Sequence, residues 1–290
     1  MHLRATHVVA TLALAVFLAA SPSASASSIT FVCKFDICRV EADGSKLRHL
    51  TRSFEPYQPR SLAVSEDRKV MTFERKDRYY VADGRARHRR LLRDASFAQV
   101  NRDGVHLLFN HFGNGPTDRT LCVGKLRSYP KAERCLTHLS ALEPRWGAGT
   151  GLIGNDGDSG LRRTGRGCVL TRSGRCGRTY ARADRGREIH DASVSPNGRL
   201  AAVSQTLPEG GYHLLLFDFR TGRRIRYLAA DSGNAPSWSP DSQRVAFVRH
   251  EGVFIGDGER LQGDLWTVNA RGKGERKLIA DEATQPSWTR

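Results

Sequence analysis

The last six residues of the chain, QPSWTR (285–290), are the first half of a phrase whose full form stands upstream as APSWSPDSQRVAFV (235–248). The full form opens a strand, turns at Asp241-Ser242 and enters a second apolar strand. The terminal copy stops before its turn. A chain that ends on half a repeat must find the other half elsewhere in itself, and that requirement limits the possible architectures more than any other feature.

The phrase recurs. Ser239-Pro240-Asp241-Ser242 leads into Val245-Ala246-Phe247-Val248, and Ser195-Pro196-Asn197-Gly198 into Ala201-Ala202-Val203-Ser204. Ser65-Glu66-Asp67-Arg68 leads into Met71-Thr72-Phe73-Glu74, and Asn101-Arg102-Asp103-Gly104 into Leu107-Leu108-Phe109-Asn110. The four align without a gap, each as strand, Asp/Asn-type turn and β-rich strand, which is hairpin chemistry. A third strand follows each hairpin, often with a fourth: RYYVADGRARHRRLL at 78, RTLCVGKLRSYPKAERCLTHL at 119, YHLLLFDFRTGRRIRYLA at 212 and GDLWTVNARGKGERKLIA at 263. Four strands recurring at roughly 36–50 residues is the spacing of propeller blades.

Two further units complete the count. Residues 140–187 are degenerate: Trp146 stands where the motif tryptophan should be and CVLTRSGRC reads as an outer hairpin, but the Ser-Pro-Asp turn is missing. The other unit is split. SSITFVCKFDICRVEADGSKLRHLT begins at a second strand, with Ile29–Val32 matching Val245–Val248 and Asp36–Val40 matching Asp264–Val268. Its missing inner strand is QPSWTR. The terminal strand should therefore close the ring and leave no open sheet edge. The expected fold is an all-β propeller of six four-stranded blades: 29–53 with 284–290, then 54–95, 96–139, 140–187, 188–232 and 233–283.

The phrases PSWSPDSQRVAFV, DLWTVNARGKGERKL and DICRVEADGSKLRHLT resemble the WD-type propeller repeat of the TolB family. The resemblance extends over most of the chain after the leader and is weakest at 140–187. It implies a six-bladed propeller. TolB proteins are periplasmic, belong to the Tol-Pal envelope system, bind a peptidoglycan-associated lipoprotein through the propeller, and carry an α/β domain before it. Between Ser27 and Ile29 there is no room for that domain, so the expectation is the propeller and the idea of an exported binding scaffold, without the Tol-Pal role.

Residues 1–26 read as a signal peptide: Arg4, an apolar run from Val8 to Ala20, and Ala24-Ser25-Ala26 before a cut at Ser27. The run is short for a membrane span, so the chain is expected to be exported to the cell envelope, periplasm or exterior as a monomer without a transmembrane segment. The six cysteines fall into local pairs, Cys33 with Cys38, Cys122 with Cys135 and Cys168 with Cys176, as expected of disulfides in an oxidising compartment. Lys and Arg number 46 against 30 Asp and Glu, a formal charge of +16. Outside a cell that points to anionic partners such as wall polymers, acidic glycans, lipid headgroups or acidic proteins. No nucleic-acid-binding signature accompanies the charge.

Binding on a propeller is expected where long loops cluster, here 110–119, 155–166, 205–211 and 249–263. Arg75, His111, Gln205, Arg249 and His250 stand at the ends of equivalent second strands near the channel mouth and are the candidate partner-binding residues. The connections on that face also repeat acids: Glu55, Asp94, Glu143, Asp191, Asp231 and Glu282. NDGDSG (155–160) offers alternating oxygen ligands around Asp156 and Asp158, the one place a calcium ion is considered, although the late bidentate Glu of an EF-hand is missing. GDSG at 157–160 matches a serine-protease nucleophile segment, but no Ala-His-Cys segment precedes it. No catalytic residue, cofactor or metal ligand is assigned. The sequence reads as a secreted, non-catalytic propeller that binds an envelope protein or an anionic wall polymer. The alternative is a propeller enzyme, of polysaccharide lyase, lactonase or sugar dehydrogenase type, with a metal at the channel mouth. A cluster of His111, His250 and Asp191 would mark it.

Overall fold

The computed structural model describes residues 27–52, 59–112, 119–136, 141–157, 163–208, 210–230, 233–250 and 263–290. They form a ring of antiparallel sheets. Blade 2 comprises β4 (Arg60–Val64), β5 (Val70–Arg75), β6 (Arg78–Asp83) and β7 (Arg90–Leu92). Blade 3 comprises β8 (Ala98–Val100), β9 (His106–Phe112), β10 (Arg119–Lys125) and β11 (Arg134–Cys135). Blade 4 is built from β12 (Ala141–Trp146), β13 (Leu152–Gly157), β14 (Arg163–Leu170) and β15 (Cys176–Arg182). Blade 5 is built from β16 (Ile189–Val194), β17 (Leu200–Thr206), β18 (Tyr212–Asp218) and β19 (Arg224–Ala229). Each of these four is a separate four-stranded sheet in simple meander order.

The remaining strands form one seven-stranded sheet: β20 (Gly233–Trp238), β21 (Arg244–Arg249), β22 (Gly263–Asn269), β23 (Arg276–Thr289), β1 (Ser28–Cys33), β2 (Asp36–Glu41) and β3 (Arg48–His49), in that order. Strand β23 has two jobs. Its first part pairs with β22 through Leu265↔Ile279 and Trp266↔Lys277, as a fourth strand. Its last part pairs with β1 through Ser28↔Thr289 and Ile29↔Trp288, as an inner strand. Ala283 is the pivot, opposite both Gly263 and Cys33. The hydrogen-bonded sheets thus number five, because one strand runs unbroken through two units. We number the two parts of the seven-stranded sheet, divided at Ala283, as blade 6 and the split blade 1.

The core follows the same plan. The apolar clusters lie between neighbouring blades: Val32 and Ile37 of blade 1 pack with Met71 and Phe73 of blade 2, Tyr79 and Val81 with Leu107 and Phe109, and Leu108 and Leu121 with Leu152 and Cys168. Continuing round, Tyr180 packs with Phe217, Leu216 with Phe247, and Phe31 with Leu265, which returns to blade 1. Each sheet is buried on both faces, so its strands read as dense apolar runs with little alternation.

The repeated Ser-x-Asp phrase has a local physical cause. The Ser65, Ser195 and Ser239 hydroxyls donate to Asp67, Asn197 and Asp241 at 2.7, 2.8 and 2.6 Å. The same oxygens accept the backbone N–H of Val70, Leu200 and Arg244. Such side-chain to backbone bonds hold a tight turn. The turn also needs a left-handed residue, supplied by Gly104 and Gly198 at φ 68° and, less comfortably, by Arg68 and Ser242 at 60° and 62°. The motif tryptophans tie blades together: Trp238 Nε1 donates to Ser193 O at 2.9 Å and Trp146 Nε1 to Gln99 O at 3.0 Å, in each case on the preceding blade's inner strand. The three cysteine pairs are disulfides, Cys33–Cys38, Cys122–Cys135 and Cys168–Cys176. No helix of the described residues is long and apolar enough to cross a membrane.

Candidate functional site

The inner strands line a central channel, and its two ends differ. At the turn end the channel is closed by three charged side chains from equivalent positions, each two residues past the end of the motif's inner strand. Arg102, from blade 3, reaches across the axis to the carbonyls of Trp238 (3.2 Å) and Trp288 (3.4 Å), which belong to blades 6 and 1. Glu66 lies beside it, 3.9 Å from Arg102 Nε and 2.5 Å from Arg290 Nε. Backbone bonds Glu66 N–H to Arg102 O and Arg290 N–H to Glu66 O fix the cluster. Burial lowers the pKa of the Arg102 guanidinium, and the Glu66 carboxylate opposes that shift.

At the loop end the channel opens into a cavity of about 420 Å³, within the range of small-ligand sites. Its geometry comes from bulges. Register shifts interrupt the inner strands of five blades at one level: Arg60/Ala63 on β4, Leu142/Arg145 on β12, Ile189/Asp191 on β16, Asn234/Ser237 on β20, and opposite Thr30/Val32 on β23. Ser61, Ala235 and Gln285 take φ of 51°, 49° and 49° there, a strained setting for residues with a Cβ. A bulge re-aims side chains that the strand's alternation would bury. Pro144, Pro236 and Pro286 follow the bulged residues, where no ladder N–H is required.

The polar lining is Ser61, Ser96, Gln99, Asn110, Arg145, Asp191 and Gln285. Arg145 Nε sits 3.2 Å from Asp191 Oδ1; the carboxylate is buried, whereas Arg145 is 39% exposed and faces the cavity. The same Asp191 oxygen accepts the N–H of Ala192. Behind the pair, burial pushes the Tyr180 phenol well above its usual range, with the Asp191 carboxylate adding to the effect. Gln285 accepts the Leu62 N–H at 3.1 Å, linking blade 1 to blade 2. The arrangement is a blind funnel with one internally matched ion pair, neutral amides and hydroxyls, and apolar walls including Leu62 and Phe97. It can hydrogen-bond a ligand and cover an apolar group. Its lining offers no unmatched charge to an anion.

The five residues anticipated from sequence stand outside this lining. Arg75 ends β5 opposite Arg78, and His111, placed by its backbone, pairs with Thr120. Gln205 is buried and clamps the neighbouring connection, accepting Asp184 N–H and donating to its carboxylate at 2.9 and 3.1 Å. Arg249 stacks on Trp266 at 4.3 Å and pairs with Glu275 at 2.8 Å. His250 is buried against Gly263. They stand at the second strands of four different blades. Of the repeated acids, Asp191 lines the cavity and Asp94 lies in an exposed turn; the side chains of Glu143 and Glu282, and all of Glu55 and Asp231, lie outside the described residues. So does Asp158, while Asp156 is described by its backbone alone. Among the described residues, the group of His, Cys, Asp or Glu with metal-holding spacing is Cys33, Cys38 and His49, whose cysteines are joined as a disulfide. Sequence reasoning missed Arg145, Gln99, Asn110 and Gln285, and it missed the Arg102 cluster. A signal for the cluster was present: at that position the other turns have proline or alanine (Ala148, Pro196, Pro240).

No protein-family model and no curated protein matches the chain. Solved structures do. The fold is similar to TolB from Acinetobacter baumannii, with a TM-score of 0.67 and 19% identity over 91% of this chain; the chain spans 66% of that protein's length. It is similar to a TolB candidate from Agrobacterium tumefaciens, with a TM-score of 0.58 and 16% identity over 90% of this chain and 92% of that one. It is also similar to oligogalacturonate lyase from Vibrio parahaemolyticus, with a TM-score of 0.52 and 10% identity over 87% and 74%. At these identities the likeness is one of fold: a TolB-like propeller.

Proposed function

We propose that this propeller is an exported, non-catalytic binding scaffold that grips its partner, an envelope protein or an anionic wall polymer, at the loop end of the channel. The observation that carries the reading is the blind funnel, closed below by Arg102 and Glu66 and lined above by amides, hydroxyls and the Arg145–Asp191 pair. Of the two partners, a polypeptide segment fits the lining better. Its amides match Gln99, Asn110 and Gln285, its apolar side chains match the proline and Phe97 walls, and the funnel holds no excess of positive charge for a polyanion. The bulges that build the lining are strained, and strain of this kind gathers at binding sites. Arg75, His111, Gln205, Arg249 and His250 form a second set of partner contacts in the proposal, around the rim.

Affinity capture of envelope proteins and wall polymers on the chain from Ser27 onward tests both parts. Asn110→Ala with Gln285→Ala should lower capture of the partner at least tenfold, the worth of one or two hydrogen bonds left unmade. Arg75→Ala/Arg249→Ala/His250→Ala tests the rim. Capture unchanged by both sets would place the partner elsewhere. Metal-dependent turnover of an anionic oligosaccharide would replace the scaffold with the lyase-type alternative.

A further inference from the structure

The cavity lining carries no excess of positive charge, and exposed cations recur on the opposite face of the ring. Acids recur at the connections of the loop end, as at Asp94, Asp184 and Asp191. Cations recur at the opposite end. In each blade the connection between the third and fourth strands carries an exposed cation: Arg87, Arg175, Arg223 and Lys273 at one equivalent place, the residue whose carbonyl closes the turn, and Lys46 and Arg127 elsewhere in their connections. These turns lie on the same face as the Ser-x-Asp turns. Gly84 N–H bonds to Lys69 O, Leu126 N–H to Val105 O, Phe219 N–H to Arg199 O and Ala270 N–H to Gln243 O, all at 2.8–2.9 Å. Among the described residues none of the six cations forms an ion pair. The aspartates near them face inward to their own turns: Asp43 accepts Ser45 N–H, Asp83 accepts Arg85 and Arg87 N–H, and Asp218 accepts Thr221 N–H. Those bonds help hold all three carboxyls below their usual range.

We propose that the turn face is a docking surface for an anionic phospholipid bilayer, on which the ring lies flat with its cavity directed away from the membrane. Three observations select a planar occupant. The six cations encircle the channel axis and do not follow a groove, so a plane engages all of them together, while a linear polymer crosses two or three blades. The Arg102–Glu66–Arg290 cluster stands at the channel axis on this side, and the hollow of about 270 Å³ beside it is lined by Glu66 and Asp103 as well as Arg102, so it offers no concentrated positive charge to the end of a polyanion. Two large apolar side chains are exposed among the cations, Leu47 at 47% and Val105 at 46%, where they can enter the headgroup layer. Arginine and lysine near an anionic leaflet gain from its surface potential individually, so a ring of six gives reversible anchoring that salt weakens. The inference is separate from the cavity reading, since none of these residues lines the cavity.

The test is co-sedimentation of the chain from Ser27 onward, which contains every described residue, with phosphatidylglycerol–phosphatidylcholine vesicles and with pure phosphatidylcholine vesicles. Binding is expected to the anionic vesicles only. Arg87→Gln/Arg175→Gln/Arg223→Gln should weaken it about a hundredfold, the worth of three cations at an anionic surface. Lys76→Gln/Arg93→Gln/Arg185→Gln removes the same charge from exposed sites at the loop end and should leave binding within about threefold of wild type. These positions are exposed, and circular dichroism confirms that each variant folds. Equal loss in both triples would mean net charge alone and would overturn the assigned face. Failure to bind anionic vesicles, or tighter binding per phosphate to soluble polyphosphate than to vesicles, would overturn the bilayer as occupant.

Discussion

At position 102 the repeat has an arginine where two sister turns have proline, Pro196 and Pro240. A proline there stiffens one turn, whereas the arginine serves the whole ring. Its guanidinium donates to carbonyls on two blades across the channel and lies beside Glu66, with its side chain 29% exposed. Removing it leaves two inward carbonyls without their donor and Glu66 with Arg290 as its remaining cation. Hydrogen bonds from charged donors are worth about 1.5–3 kcal/mol each to stability, so Arg102→Met should lower the unfolding free energy by about that amount. Arg199 supplies the control: it lies on the equivalent turn of blade 5 and is exposed. Arg199→Met should change stability by less than about 0.5 kcal/mol. Urea unfolding of the two variants measures the difference, and equal midpoints would show that the cluster contributes nothing to the fold.

Among the described strands, β11 is with β3 one of the two shortest. It is two residues long and meets β10 through Cys122↔Cys135 and Val123↔Arg134 alone. The disulfide joins that first pair across a loop of 13 residues, which in the chain-entropy account is worth about 3 kcal/mol. Cys122→Ala/Cys135→Ala should therefore cost about 2–3 kcal/mol and expose the amides of β11 to hydrogen exchange; an unchanged melting midpoint with β11 still protected would contradict this. The bridges of blades 3 and 4 stand where the repeat is hardest to read, which bears on what the sequence could tell. Blades 2, 5 and 6 were legible because Ser65, Ser195 and Ser239 make their turns by bonds within five residues. Blade 4 was obscure because its turn is a glycine loop closed by Gly147 N–H to Gly151 O, leaving only Trp146 as signature. The cavity was obscure for a different reason. Strand alternation assigns faces by counting in twos, and the bulges at Ser61, Asp191, Ala235 and Gln285 break the count. The five rim residues stand at second-strand ends, a strand's width outward from the inner strands that do line the cavity.

For the whole molecule the decisive contact joins its ends. Thr289 lies opposite Ser28, and its hydroxyl donates to Ser28 O at 3.2 Å. The gap between them is the place of the inner-strand turn that the other blades make with Ser-x-Asp or its variants. Trp288 is 3% exposed in the cluster that also holds Ile29, Phe31 and Leu265, and its carbonyl receives Arg102. Deleting Gln285–Arg290 therefore removes a core tryptophan, a partner of Glu66, one wall of the cavity and the strand that closes the ring. The loss should exceed the roughly 3–5 kcal/mol of a large aromatic side chain alone, and the melting midpoint should fall accordingly. Truncation cannot by itself separate lost burial from lost closure, but a circular permutant can. Joining Arg290 to Ser28 through a short glycine-containing turn, with new ends between Gly149 and Thr150, keeps every strand and moves the break to the equivalent turn of blade 4, where both residues are exposed. If closure is what the terminal strand provides, the permutant should match the intact chain to within about 1 kcal/mol, because surface turns tolerate new ends. It should then become sensitive to deletion of Arg145–Gly149, its new terminal inner-strand segment. A permutant that fails to fold, or a truncated chain that melts with the intact one, would show that the ring does not depend on pairing its two ends.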